Sequence, residues 1–221
     1  MSQAILKWLR LVTPGLIILV MWGVLGRATD LWGFYWPDDP KKAVASLGPL
    51  ILGAIYYTTP LRNWSNQAFF KDVTETLRRR LVEISGESDD PNIYSWKRLR
   101  GIFFTLIDSD KSLEVKTSQA YFNGYIWTTL ADLRVLAALM VIPSLILGFL
   151  GLSSAWFAAA GFVILALLTI PASFAVTKIH KSIGEQQIEI IEHNHLGTLR
   201  EKLEGVRERS NPINSSDQKG A

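Results

Sequence analysis

The sequence predicts an all-α integral membrane protein with four transmembrane helices: two near the N-terminus and one C-terminal helical hairpin. A small, mainly helical cytosolic insert separates them, and a C-terminal amphipathic helix follows. Three observations lead to this prediction. The mean hydropathy of the 221 residues is positive, at +0.18. Residues 135–177 contain no Asp, Glu, Lys or Arg, whereas residues 62–134 carry charges of both signs throughout.

Residues 1–61 are predicted to hold the first two spans, with a short outer loop between them. Residues 11–26 and 43–61 are free of charged side chains. The first stretch rises only roughly 24 Å as a helix, so its basic flanks must reach the headgroups to cross ~30 Å of hydrocarbon. A signal peptide is the alternative for this stretch. We favour a membrane span, because a second apolar segment follows closely and no clean small-x-small cleavage site precedes Asp30.

The third apolar stretch, residues 135–177, is about twice the ~20 residues that one crossing requires. Gly148, Gly151, Ser153 and Ser154 provide turn residues near its middle. We therefore predict a hairpin of two membrane helices.

The distribution of Lys and Arg predicts the orientation of these spans, since basic residues concentrate on the cytoplasmic side. The outer loop, residues 27–42, balances its basic residues with three Asp, and the turn within residues 151–155 carries no charge. We expect a bacterial-type inner-membrane protein with both termini in the cytoplasm. The basic residues assigned to the cytoplasmic side are Lys7, Arg10, Arg62, Lys71, Arg78, Arg79, Arg80, Lys178 and Lys181.

Aromatic residues near the predicted span ends are expected to anchor the chain at the membrane surface, because Trp and Tyr favour the headgroup region. The predicted anchors are Trp32 and Trp36 in the outer loop and Tyr56 and Tyr57 in the second span. A ligand-binding aromatic patch in the outer loop is the less favoured alternative.

The insert at residues 62–134 has the apolar periodicity of a folded module. Apolar residues recur at three- and four-residue steps between Ser65 and Ile84, which predicts a helix ending at Gly86. A second helix is predicted to begin at Pro91 and to continue as far as Asp108.

Residues 113–130 allow two interpretations. Ser112 is a suitable cap for a helix that runs directly into the third span. Asn123-Gly124, between aromatic and apolar residues, is instead a strong β-hairpin signal. We favour a helix with a break near Gly124, and the hairpin remains the alternative.

Residues 178–209 carry an apolar stripe at mostly three- and four-residue steps, which predicts a cytosolic amphipathic helix. That helix is expected to pack on the 62–134 module or to self-associate. Residues 210–221 are predicted to be a disordered tail, because they have too little apolar content to fold.

Two segments carry residues typical of metal ligands, but their spacing does not fit a metal site. The sequence from Asp108 to Ser112 begins like a calcium-binding loop, but Leu113 replaces the glycine at its sixth position. His193 and His195 are two residues apart and point in different directions on a helix, so they cannot share a metal as an i, i+4 pair does. We predict no metal and no cofactor.

The sequence contains no Gly-rich phosphate loop, no Gly-x-Ser-x-Gly elbow and no His-Glu-x-x-His motif. The predicted spans contain no ionisable residue except tyrosine, which disfavours ion-coupled transport. The net charge of +3 is too small to indicate nucleic-acid binding. A catalytic function is therefore not expected.

A set of polar residues before the third span and on the neighbouring helix is the candidate ligand-binding or coupling site. Interfacial anchoring is the simpler explanation, with Asp132 capping the helix or pairing with Arg134. The alternative is an anionic ligand or nucleotide bound through the basic members. The set consists of Lys97, Arg98, Arg100, Asn123, Trp127, Asp132 and Arg134.

These features favour a non-enzymatic membrane sensor or adaptor that couples a cytosolic partner or ligand to its transmembrane helices. The first alternative is a small homo-oligomeric channel or membrane-disrupting effector, for example in defence against phage. The second is a membrane-embedded enzyme that acts on lipids. The expected partners are the lipid bilayer, further copies of the chain and a cytosolic protein.

Overall fold

The computed structural model describes residues 3–30 and 48–210, which are helical and contain no β-strand. Short turns and one 3₁₀ turn, Lys111–Leu113, connect the α-helices. The α-helices are α1 (Gln3–Thr29), α2 (Gly48–Tyr57), α3 (Leu61–Ser85), α4 (Trp96–Ser109), α5 (Glu114–Phe149) and α6 (Ser153–Ser210).

Three helices, α1, α5 and α6, are long and apolar enough to cross a membrane, judged by their length and composition. Helix α2 is apolar but has 10 residues, about half of what a crossing requires. Residues 43–47 of the predicted second span lie outside the described residues. The described part of the chain therefore holds three candidate spans, and the fourth stays a prediction.

Helices α1 and α2 pack with their backbones in direct contact. A Cβ atom at Gly15 would lie 1.8 Å from the carbonyl oxygen of Pro49, and one at Gly53 would lie 2.0 Å from that of Leu11. Only glycine fits at such an approach, as is common where apolar helices meet.

The turn between α5 and α6 occupies Leu150–Leu152, inside the stretch predicted as a hairpin. Gly151 has a positive φ of 99°, and its N–H donates to the carbonyl of Gly148 at 3.1 Å. The N–H of Leu152 donates to the carbonyl of Leu147 at 3.1 Å. This is a Schellman termination, in which the left-handed residue is best occupied by glycine.

The β-hairpin considered for residues 113–130 is wrong, and so is the break expected near Gly124. Helix α5 passes through both residues of the Asn123-Gly124 pair, and neither has the positive φ that a hairpin turn needs. The Asn123 side chain instead donates to the carbonyl of Val176 on α6, at 3.1 Å. Packing between helices thus overrides the local turn signal.

The second predicted helix of the insert begins five residues later than expected, at Trp96 rather than Pro91. The Asp90 carboxylate accepts the N–H of Asn92 at 2.9 Å, and the Asp90 carbonyl accepts that of Tyr94 at 2.8 Å. Such Asx turns compete with helix initiation. Pro91 therefore lies in a turn.

The predicted C-terminal helix is continuous with the last apolar helix, because α6 extends from Ser153 to Ser210. His195 interrupts its geometry, with φ −133° and ψ 16°, and marks a kink. Residues 211–221, which make up nearly all of the predicted disordered tail, lie outside the described residues.

The chain divides into two compact units. We call Met1–Phe69 with Tyr121–Thr177 the apolar unit, and Phe70–Ala120 with Lys178–Ala221 the polar unit. Helices α3, α5 and α6 contribute residues to both units. The core of the apolar unit is formed by Met21, Leu25, Tyr56, Val135, Leu136, Ala137, Met140 and Phe162.

Candidate functional site

A buried ion pair joins three helices of the apolar unit. Arg62, in the first turn of α3, donates from Nε and Nη2 to the two carboxylate oxygens of Asp132 on α5, at 2.6 and 2.7 Å. The side chains are 12% and 2% exposed, respectively. Nη2 of Arg62 also donates to the carbonyl of Arg10 on α1, at 3.0 Å. This bidentate geometry fixes both the distance and the orientation of the helices it connects.

The two tyrosines that end α2 lie against the same guanidinium. The Arg62 guanidinium carbon is 4.9 Å from the ring centroid of Tyr57 and 5.9 Å from that of Tyr56. Tyr56, predicted as an interface anchor, is buried in the core, whereas Tyr57 is exposed. The other predicted anchors, Trp32 and Trp36, lie outside the described residues.

Arg134, two residues beyond Asp132 on α5, connects that helix to α3 and α6. Its guanidinium donates to Thr169 Oγ1 at 3.0 Å, to the carbonyl of Ser65 at 3.1 Å and to the hydroxyl of Ser173. The ring of Phe69 lies 5.3 Å from the guanidinium carbon. Among the described residues no carboxylate forms an ion pair with this cation.

The pairing of Asp132 with Arg134 expected from the sequence is therefore wrong. Side chains two residues apart on a helix point roughly 200° apart, so neighbours in sequence face different helices. Asp132 faces Arg62, and Arg134 faces Ser65, Thr169 and Ser173. Consequently α5 is held on two sides by two separate cations. We call Arg62, Asp132 and Arg134 the junction.

The remaining predicted residues are distributed between the two units. Asn123 and Trp127 are buried in the apolar unit, where Asn123 joins α5 to α6. Lys97, Arg98 and Arg100 are exposed on α4 in the polar unit. The structure thus brings Asp132 and Arg134 into one set of helix contacts and places the three α4 cations in the other unit.

Arg78 of the polar unit carries a buried charge, with a side chain that is 2% exposed. It donates to Glu75 at 2.8 and 2.9 Å and to Asp89 at 2.5 Å. Hydrogen bonds from Arg78, and then from Arg79, lower the pKa of Glu75 to about 2. The hydrogen bonds that Arg78 donates to Glu75, and then to Asp89, raise the pKa of Arg78. Arg78 is therefore structural, whereas Arg79 and Arg80 lie on a solvent-exposed face of α3.

A second polar contact set ties the end of α6 to the loop after α3. The Tyr94 hydroxyl, on a fully buried side chain, donates to Glu87 at 2.9 Å, and Arg207 donates to the same carboxylate at 3.1 Å. Burial, followed by the hydrogen bond with Glu87, raises the pKa of Tyr94 to about 12. These contacts stabilise the polar unit.

Asp110 and His195, which lie in the two segments with metal-ligand residues, contact each other. Asp110, just after α4, accepts from Asn194 Nδ2 and contacts His195 Nε2, each at 3.0 Å. His193 is exposed. Within residues 3–30 and 48–210, no group of three or more His, Asp or Glu side chains has the arrangement of a metal site.

Sequence reasoning missed the partners of the junction. Arg62 marked only the end of an apolar stretch, although it is the partner of Asp132, 70 residues away. Thr169, Ser173 and Thr177 recur every four residues in an otherwise apolar segment and are all buried. That polar stripe on one helix face was the available signal for a polar partner inside the bundle.

Comparison of the chain with protein-family models, with curated proteins and with solved structures finds no significant match in any of the three.

Proposed function

We propose that the chain is a non-enzymatic, multi-pass membrane sensor or adaptor, in which the junction couples the state of the polar unit to the membrane helices. The observation that carries this proposal is that hydrogen bonds from two arginines hold α5 against α3 and α6. Asp132 holds Arg62 of α3, and Arg134 holds Ser65 of α3 together with Thr169 and Ser173 of α6.

The helices that the junction clamps also supply the polar unit. Helices α3, α5 and α6 contribute residues to both units, so a ligand that shifts these helices in the polar unit acts on helices that the junction also contacts. A buried bidentate ion pair has few alternative arrangements, because each partner left alone keeps an unpaired charge. Such a contact favours discrete states over gradual deformation, which is what a switch requires.

In this proposal the second apolar stretch completes four spans and both termini are cytoplasmic, in a bacterial inner membrane. The polar unit then faces the cytosol, where exposed Lys97, Arg98 and Arg100 offer donors to an anionic ligand or to an acidic surface of a protein partner. Assembly of several copies in the bilayer is part of the same proposal.

Coupling is tested in lipid nanodiscs with the full chain, by hydrogen exchange of peptides from residues 153–177. Lys97→Glu, Arg98→Glu and Arg100→Glu together reverse the charge of the α4 surface in the polar unit. We expect this triple variant to change exchange in residues 153–177 at least about threefold, and Asp132→Asn to remove that response. Asp108→Asn, at an exposed carboxylate of α4, is the matched control.

The same preparations are reconstituted in liposomes loaded with potassium to separate a sensor from a pore. A response that depends on Asp132, without ion flux, supports the sensor. Flux in the wild-type protein would replace this proposal with the channel or effector alternative. An exchange response that is the same in wild type and Asp132→Asn would refute coupling through the junction.

A further inference from the structure

A groove of about 640 Å³ runs along the apolar unit between α1 and α6. Val20 and Val24 line it on α1, and Phe157, Gly161 and Leu168 line it on α6. Of its lining residues only Thr13 has a polar side chain, so the groove is suited to a hydrocarbon occupant.

The polar end of the groove is defined by hydroxyl groups. The Thr13 hydroxyl lies 2.9 Å from the hydroxyl of Tyr125 on α5. At the other end, the lining residues Val24 and Phe157 are apolar. The groove therefore has one polar end and one apolar end, like a phospholipid.

A basic side chain lies one turn beyond that polar end. Residues 10, 13, 17, 20 and 24 recur at steps of three and four, so Arg10 shares the groove-facing stripe of α1 with Thr13. Nη2 of Arg10 donates to the carbonyl of Tyr121 at 3.4 Å, and its Nε has no hydrogen-bond partner among the described residues. No described carboxylate forms an ion pair with Arg10. A phosphate would supply the missing charge.

We propose that this groove binds an anionic glycerophospholipid, with one acyl chain between α1 and α6 and the phosphate at Arg10. Charge complementarity favours a lipid over a second copy of the chain. Copies in one membrane share one orientation, so a symmetric contact through the groove would place two Arg10 side chains at the same depth, where they repel. This site is independent of the sensor role and depends only on insertion of α1 and α6 into a bilayer.

Two variants separate the headgroup contact from the acyl-chain contact. Arg10→Gln removes the cation and keeps a similar length. Gly161→Leu fills the groove, and it is tolerated by the fold because a Cβ atom at Gly161 meets nothing within 4 Å. The matched controls are Arg27→Gln, at an exposed arginine near the opposite end of α1, and Gly101→Leu, at a helical glycine of the polar unit with equally open surroundings.

Native mass spectrometry of the detergent-purified full chain measures binding of dioleoyl phosphatidylglycerol and dioleoyl phosphatidylcholine, which share acyl chains and differ in net charge. We expect the wild-type protein to prefer phosphatidylglycerol and Arg10→Gln to lose about fivefold of that preference. Gly161→Leu should weaken binding of both lipids about tenfold, because it displaces roughly two methylenes. Both controls should bind as wild type does.

Equal binding of the two lipids by the wild-type protein would overturn the proposal. So would a loss of preference in Arg27→Gln as large as in Arg10→Gln, since that would indicate net charge rather than a site. A wild-type dimer that Gly161→Leu converts to monomers would assign the groove to a second copy instead.

Discussion

The two units of this chain place their apolar and charged side chains in opposite ways. In the apolar unit the ion pair of Arg62 and Asp132 is inside, and large apolar side chains cover the surface. In the polar unit the apolar residues are inside, and most ion pairs, such as that between Arg79 and Glu75, lie on the surface. Among residues 3–30 and 48–210, the large apolar side chains that are exposed lie in the apolar unit, except Phe70, Phe104, Val115 and Ile179.

This contrast is what two different solvents produce. In water the burial of apolar area is favourable, so helices of the polar unit direct Leu81, Ile188 and Leu203 inward. In hydrocarbon, a leucine side chain gains no hydrophobic free energy by exchanging a lipid contact for a contact with another leucine. Helices of the apolar unit are therefore held together by close backbone packing and polar contacts instead. The contrast therefore predicts that the apolar unit is most sensitive to single substitutions at the junction and at the glycine contact of α1 with α2.

The largest effect is expected when one member of the buried ion pair is removed. Arg62→Met leaves the Asp132 carboxylate, 2% exposed, without its cation, and should destabilise the apolar unit by about 3–5 kcal/mol. Arg62→Met combined with Asp132→Leu removes both charges and should recover most of that loss. Reversible unfolding of the full chain in mixed micelles measures both.

The matched control for this cycle lies in the polar unit. Arg80 pairs with Glu83 on an exposed face, so Arg80→Met should cost less than about 1 kcal/mol. If Arg62→Met and Arg80→Met have equal effects, the contrast between the two units is incorrect.

The next largest effect concerns glycines that allow close packing. Gly15→Ala places a Cβ atom 1.8 Å from a backbone oxygen of α2, which cannot move without separating the helices. We expect a loss of about 3 kcal/mol, although alanine favours the helix itself by ~1 kcal/mol. Unfolding of the same preparation in mixed micelles provides the measurement.

Gly184→Ala is the corresponding substitution in the polar unit. Its Cβ atom would meet Cδ2 of Leu77 at 2.4 Å, which is the end of a flexible side chain and can rotate away. The substitution should cost less than about 1 kcal/mol. A larger loss for Gly184→Ala than for Gly15→Ala would contradict the view that backbone contact distinguishes the apolar unit.

The elements that the sequence predicts well are those set by composition and by local backbone chemistry. Long uncharged stretches correctly indicate apolar helices, and Gly86 and Gly151 stop α3 and α5 with positive φ. The candidate site was predicted only in part. Asp132 and Arg134 could be singled out as charges next to an apolar segment, but their partners depend on which helices pack together.

The two errors have different physical origins. A tertiary contact with α6 overrides the turn signal of Asn123-Gly124, whereas a local Asx turn at Asp90 displaces the helix start expected at Pro91. A single sequence states local preferences, whereas the pairing of Arg62 with Asp132 across 70 residues is decided by tertiary packing.

The smallest predicted effect is a dependence on acidic pH that belongs to the polar unit. Arg78 and Arg79 hold the pKa of Glu75 at about 2, below its ordinary value of 4.5. A lowered carboxylate pKa stabilises the fold fully above pH 4.5, and this contribution disappears as the pH falls towards 2. Because the Glu75 side chain is 38% exposed, solvent screening limits the contribution to under about 1 kcal/mol.

Pulse proteolysis with pepsin, which is active in this pH window, measures this contribution as the fraction of the polar unit that resists cleavage. Glu75→Gln should be less stable than wild type at pH 5 and should approach it at pH 2, because protonated glutamate and glutamine then make similar contacts with Arg78. Glu83→Gln removes an exposed carboxylate of the same helix that does not bond to Arg78, and it is the matched control for loss of one charge. If the resistant fractions of Glu75→Gln and wild type change by the same amount from pH 5 to pH 2, the charge of Arg78 is compensated by Asp89 alone.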